Sequence, residues 1–188
     1  MNDGELLDCI FNCFVNVNCE KLALVVYESF DPEEFCYKHL FPEVEKNDYF
    51  PIYVNLKSSN KGIEYSFCQG VFSALERKSH LKLEKMLDRG IENRDCWLEY
   101  ARDLLSRLLL ILTSSPVLIV LNASDYLTDE KGLNFTHMLR SFLVNKSMMY
   151  KHPMHTLFIS EKKAKLLKVF NDEKAPFFGA INIIENYS

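Results

Sequence analysis

VVYESFDPEEF, residues 25–35, decides how this chain is read. The stretch leaves an apolar, β-branched run, LALVVY (22–27), turns at Glu28–Phe30, and meets Asp31-Pro32-Glu33-Glu34 before another apolar residue, Phe35. A strand followed by a helix start is the first unit of an α/β sheet. Asp31 suits an N-cap, Pro32 the first helical position, and Glu33 and Glu34 the positive end of the helix dipole. The same place in a nucleotide-binding α/β protein holds a phosphate loop, G-x-x-x-x-G-K-[ST]. Its glycines let backbone amides curl around phosphate and its lysine offsets the charge. Here Pro32 has no amide to offer. Glu28, Asp31, Glu33 and Glu34 would repel a triphosphate, and no Gly-Lys dipeptide occurs anywhere in the chain. The motif is absent rather than displaced.

The pattern repeats outward from this unit. PIYVNL (51–56), SSPVLIVLN (114–122), MHTLFIS (154–160) and GAINII (179–184) predict four more strands. Helical spacing predicts helices over 4–16, 31–41, 62–78, 96–112, about 131–146 and 161–170, with a helix or long connection over 79–94. Continuous apolar strands mean both faces are covered, so the expected fold is α/β: a parallel five-stranded sheet between two helix layers. Ligands on such sheets bind beyond the carboxyl ends of the strands.

The third of these strands runs into LIVLNASDYL (118–127). An Asp-Glu pair there would hold magnesium and activate water. Asn122 and Ala123 stand in those places, and Asp125 comes three residues late. Asn is a poor divalent-ion ligand beside a carboxylate. The fourth strand ends at Ser160, where an enzyme of this type senses the terminal phosphate.

Composition narrows the class further. The chain has 188 residues, 48% hydrophobic and 26% charged, enough for one packed domain. Residues 1–50 carry 11 acidic and 3 basic side chains; the remainder carries 15 acidic and 19 basic. That mild basic excess does not indicate nucleic acid by itself. Lys162, Lys163, Lys165 and Lys168 are candidate phosphate contacts, with a solvated helix face as the simpler reading. Six cysteines include no C-x-x-C, and Cys9 and Cys13, at i and i+4, read as core thiols. The acidic N-terminus and the lack of a spanning apolar run point to an intracellular, reducing compartment. His137, His152 and His155 fit no metal-ligand spacing and read as surface or capping histidines. Trp97 and Tyr100 read as core residues opening a long helix, with a partner-binding anchor as the sharper alternative.

The order of these segments resembles the AAA+ ATPase core. PVLIVLNASDYLTD (116–129), HMLRSFL (137–143), HTLFISEKKAKLLKVF (155–170), INIIENYS (181–188) and YFPIYVNL (49–56) are similar to subunits of the origin recognition complex, the fifth subunit most of all. The resemblance covers about residues 20–188, and its motifs are short. It implies a P-loop NTPase-like core, of AAA+ or RecA-like type, as a single domain over 1–188 with a short N-terminal helix. No helical lid or winged-helix domain is expected within it. The departures at residues 28–34 and at Asn122 imply a catalytically inactive scaffold subunit with no cofactor, metal or small-molecule substrate. Its partners would be other subunits of a nuclear DNA-replication or chromatin complex, with DNA a further partner, contacted indirectly in the first reading, and no membrane. Two alternatives stay open. One is a nucleotide-free RecA-like subunit, similar to recombination-mediator paralogues that work as heterodimers. The other is an enzyme, an NTPase with an unusual phosphate loop or an α/β hydrolase. The expected location is the nucleus, with the cytoplasm as the alternative.

Overall fold

The strands partition their side chains by parity, and this builds three layers. The computed structural model describes residues 1–15, 19–57, 60–78, 97–112, 115–147, 154–171, 177 and 181–186. Within them lie α1 (Asp3–Val15), β1 (Lys21–Val26), α2 (Pro32–Phe35), α3 (Phe41–Glu45), β2 (Phe50–Asn55), α4 (Ile63–Arg77), α5 (Trp97–Ile111), β3 (Val117–Asn122), α6 (Glu130–Ser147), β4 (Met154–Ser160), α7 (Lys163–Asn171) and β5 (Asn182–Asn186). The expected segment over 79–94 lies outside the described residues. The five strands form one sheet in the order β2-β3-β4-β1-β5. Every pairing is parallel, with Leu22 opposite both Leu157 and Asn182.

Alternate strand residues point to opposite faces. Ala23, Val25, Ile52, Val54, Ile119, Leu121 and Phe158 pack with α4, α5, α6 and α7. Leu22, Leu24, Val26, Leu118, Val120, Leu157 and Ile159 pack with α1, α2 and α3. Two covered faces explain why these strands are apolar at every position rather than at every second one.

Pro42 ought to end the helix begun at Pro32, because it lacks an amide and its ring crowds the carbonyl four residues back. The chain instead widens to a π-helix over Cys36–Leu40, with the Phe41 amide donating to the Cys36 carbonyl. The helical path therefore continues to Glu45, four residues past the expected end. Beyond β3, Ala123 adopts left-handed backbone at φ 57° and a 3-10 turn follows over Ser124–Thr128, which the sequence reading lacked.

His155 is not at the surface, as the sequence suggested, but wholly buried at the start of β4. Its ring lies against Phe14 and Tyr49, with centroids 5.0 and 5.6 Å away. Nδ1 donates to the Cys19 carbonyl at 2.7 Å, while Nε2 has no partner among the described residues. Burial lowers its pKa, so the folded ring stays neutral. Below the ordinary histidine pKa the unfolded chain takes up a proton that the folded chain refuses. Stability should therefore fall as pH drops below about 6.5, with a slope of at most about 1.4 kcal/mol per pH unit. Melting curves between pH 7.5 and 5.5 check this, and His155→Phe should remove this part of the slope.

Candidate functional site

The carboxyl ends of β1, β3 and β4 meet where this kind of sheet keeps its ligand. Each end is occupied by the chain's own side chains.

At β1, five residues connect Val26 to Pro32. Phe30 is buried, packed edge-on to Tyr27 at 5.8 Å and tilted against Phe35 at 5.5 Å. The Asp31 carboxylate accepts from the Glu33 and Glu34 amides, both at 3.0 Å. Those amides are the donors a phosphate would need. Pro32, at the first helical position, brings none. Glu28, Glu33 and Glu34 are exposed around the turn, and Glu34 pairs with Lys38 one helical turn on. Asp31→Ala should cost about 1 kcal/mol through the lost cap, read as a lower denaturant midpoint.

At β3, both ends of the Asn122 amide are engaged. Its Nδ2 donates to the Tyr53 hydroxyl at 3.0 Å, and its Oδ1 accepts from the Ala123 amide at 2.7 Å. Tyr53 lies on the neighbouring strand, and burial holds its hydroxyl well above the usual phenol range. The phenol thus remains a neutral partner for the amide.

At β4, Asp125 joins what the sequence separated. It is only 5% exposed. Its Oδ1 accepts from Ser160 Oγ at 2.8 Å, and its Oδ2 accepts from Lys162 Nζ at 3.2 Å. The Ser160 hydroxyl in turn accepts from the Lys162 amide at 3.0 Å. Hydrogen bonding and charge from Asp125 raise the Lys162 pKa. Ser160, at the end of β4, thereby ties that strand to the 3-10 turn after β3.

The four candidate lysines do not form one open row. Lys162 pairs with Asp125, and Lys163 with Glu185 on β5 at 2.5 Å. Lys165 and Lys168 are exposed. Leu166, Val169 and Phe170 are the buried side of that helix, whereas Leu167 is half-buried.

A cavity of about 500 Å³ lies further along the rim, beyond β2 and at the start of α4. Leu56, Lys57, Lys61, Ile63, Tyr126 and Asp129 line it. It presents charges of both signs and does not reach the loop after β1. Among the described residues, no three His, Cys, Asp or Glu side chains are placed to hold a metal ion. No described helix is long and apolar enough to cross a membrane.

No protein-family model and no curated protein matches this chain. Its likeness is to solved structures. The Walker-type ATPase of Pyrococcus abyssi has a TM-score of 0.53 at 10% identity, covering 99% of this chain and 54% of that one. The ORC2 protein of Aeropyrum pernix in its ADP form has 0.51 at 11%, covering 97% and 47%. A chain of Drosophila ORC bound to AT-rich DNA and Cdc6 has 0.49 at 12%, covering 97% and 54%. The shared fold is a parallel five-stranded sheet flanked by helices, like the cores of these ATPase structures. At these identities the likeness is one of fold alone, and the chain spans about half the length of the structures it matches.

Asn122 and Asp125 belong to this rim, as the sequence suggested, but their partners Tyr53 and Ser160 do not follow from spacing. The cavity beside β2 also had no sequence motif. A charged residue buried at a strand end, such as Asp125, is the kind of signal that could have prompted a search for a distant partner.

Proposed function

We propose that this chain is a catalytically inactive AAA+-like scaffold subunit of a nuclear DNA-replication origin recognition complex, or of a related chromatin assembly. It would act by holding neighbouring subunits. The resemblance to the fifth subunit of that complex makes such a subunit's position the first to test. The observation that carries the proposal is the Asp31 carboxylate seated on the Glu33 and Glu34 amides, the donors on which phosphate would rest. The engaged Asn122 amide supports the same reading at the metal-acid position. Any nucleotide would then belong to a neighbouring subunit, and any DNA contact would be indirect.

Tagged co-purification from the native cell tests the partners. Recovery of origin recognition subunits supports the reading. Recovery of recombination proteins without them overturns it in favour of a RecA-like heterodimer. Titration of the purified chain with magnesium-ATP tests the inactive site separately. No saturable binding is expected, and micromolar binding would favour an NTPase with an unusual loop.

A further inference from the structure

Cys13 lies in the last turn of α1 and Cys19 just before β1, and the two residues are bonded to each other twice. The Cys19 amide donates to the Cys13 carbonyl at 3.0 Å. Their thiols are hydrogen-bonded as well. A direct backbone bond brings two Cα atoms into the range a disulfide spans, about 4.4–6.8 Å. Both side chains are partly exposed, so a small oxidant can reach them; Cys9 is exposed one turn back rather than in the core. Cys9 and Cys13 are neighbours on one helix face, where Cβ atoms stay about 5–6 Å apart. A disulfide needs about 3.8 Å.

The two thiols are not equivalent. Cys19 Sγ accepts from Asn182 Nδ2, at the start of β5, at 2.6 Å. Burial and the neighbouring thiols raise the pKa of Cys13 and keep it protonated. The His155 ring fixes the Cys19 carbonyl.

We propose that Cys13 and Cys19 are a thiol pair that forms a reversible disulfide by exchange with a small disulfide of the oxidised-glutathione class. The Cys19 thiolate attacks one sulfur of glutathione disulfide, breaking its S–S bond, forming a mixed disulfide and releasing one glutathione thiolate. Cys13 then loses its proton to solvent and attacks Cys19 Sγ. The Cys13–Cys19 bond forms and the second glutathione thiolate leaves. The protein loses two electrons and two protons, and one glutathione disulfide becomes two glutathione thiols. The product joins the end of α1 to the approach to β1. It also replaces the sulfur that Asn182 holds with a weaker acceptor, beside edge strand β5.

The test equilibrates the whole purified chain with stepped ratios of reduced and oxidised glutathione, then quenches, alkylates and measures intact mass. Chymotryptic cuts after Phe11 and Phe14 separate the three nearby cysteines for mapping. The expected result is a loss of two hydrogens, one Cys13–Cys19 link, and full reversal by dithiol. Cys9→Ser should leave this unchanged. Cys13→Ser should stop at the Cys19–glutathione adduct, and Cys19→Ser should reduce the link to background. Melting curves of each variant establish that it is folded. A Cys9–Cys13 link, or glutathione adducts without any internal link across the whole series, would overturn the proposal.

Discussion

Replacing Gly70 by alanine should lower the melting temperature by about 6–12 °C, equivalent to about 3 kcal/mol. Gly70 faces β2 from the middle of α4. A Cβ built there meets the Tyr53 carbonyl oxygen at 2.4 Å and Val54 Cγ2 at 2.8 Å. The oxygen belongs to a central stretch of strand backbone paired to β3, so it cannot retreat. The helix must rise instead, and Phe67, Val71 and Leu75 rise with it out of the core. Alanine is the better helix former, which offsets about 0.5–1 kcal/mol of the cost. Thermal melts of Gly70→Ala beside Ser73→Ala, an exposed site on the same helix, check the result. The control should stay within about 0.5 kcal/mol of the parent chain. A neutral Gly70→Ala would mean that α4 does not lie this close to β2.

The second large effect belongs to Asp125. Asp125→Ala should cost about 2–3 kcal/mol, because the buried Ser160 hydroxyl loses its charged acceptor. Lys162→Met should cost far less than Asp125→Ala, since that ammonium is more than half exposed and its pair is screened. Chemical denaturation of both variants separates the two contacts. If Lys162→Met proved as damaging as Asp125→Ala, the ion pair rather than the hydroxyl bond would hold β4 to the turn after β3.

The strands β1 to β4 were legible because burial on both faces leaves long apolar runs. Strand β5 was harder. GAINII suggested 179–184, whereas pairing with β1 runs over Asn182–Asn186. At a sheet edge, Asn182 and Ile183 are exposed, so polarity no longer marks the strand's limits. Helix continuation through Pro42 was illegible for a different reason: a π-turn is a property of backbone geometry, and no residue type announces it. At the rim, the missing glycines and the Asn122 substitution could be read directly. What replaced them could not. Ser160 lies 35 residues from Asp125 and Tyr53 lies 69 from Asn122, and a single sequence carries no record of such meetings. The same distance effect hid Glu185 behind Lys163, which made four lysines look like one basic row. The three cysteines were visible as a cluster, but only the fold shows Cys13, at the margin of the core, bonded to Cys19.

The strand order has a consequence in time. β1 is bordered by β4 and β5, both of which follow it by more than a hundred residues. KLALVV therefore leaves the ribosome with neither neighbour yet made. At ordinary translation rates that interval lasts on the order of 10 s. During it, β2 and β3 can already zip together beneath α4, while β1 carries an uncovered apolar edge suited to chaperones and to aggregation alike. Nascent chains arrested before Met154 would thus be the form of this protein most in need of a holdase, and arrest after Ser160 the first point at which β1 finds a sheet to join.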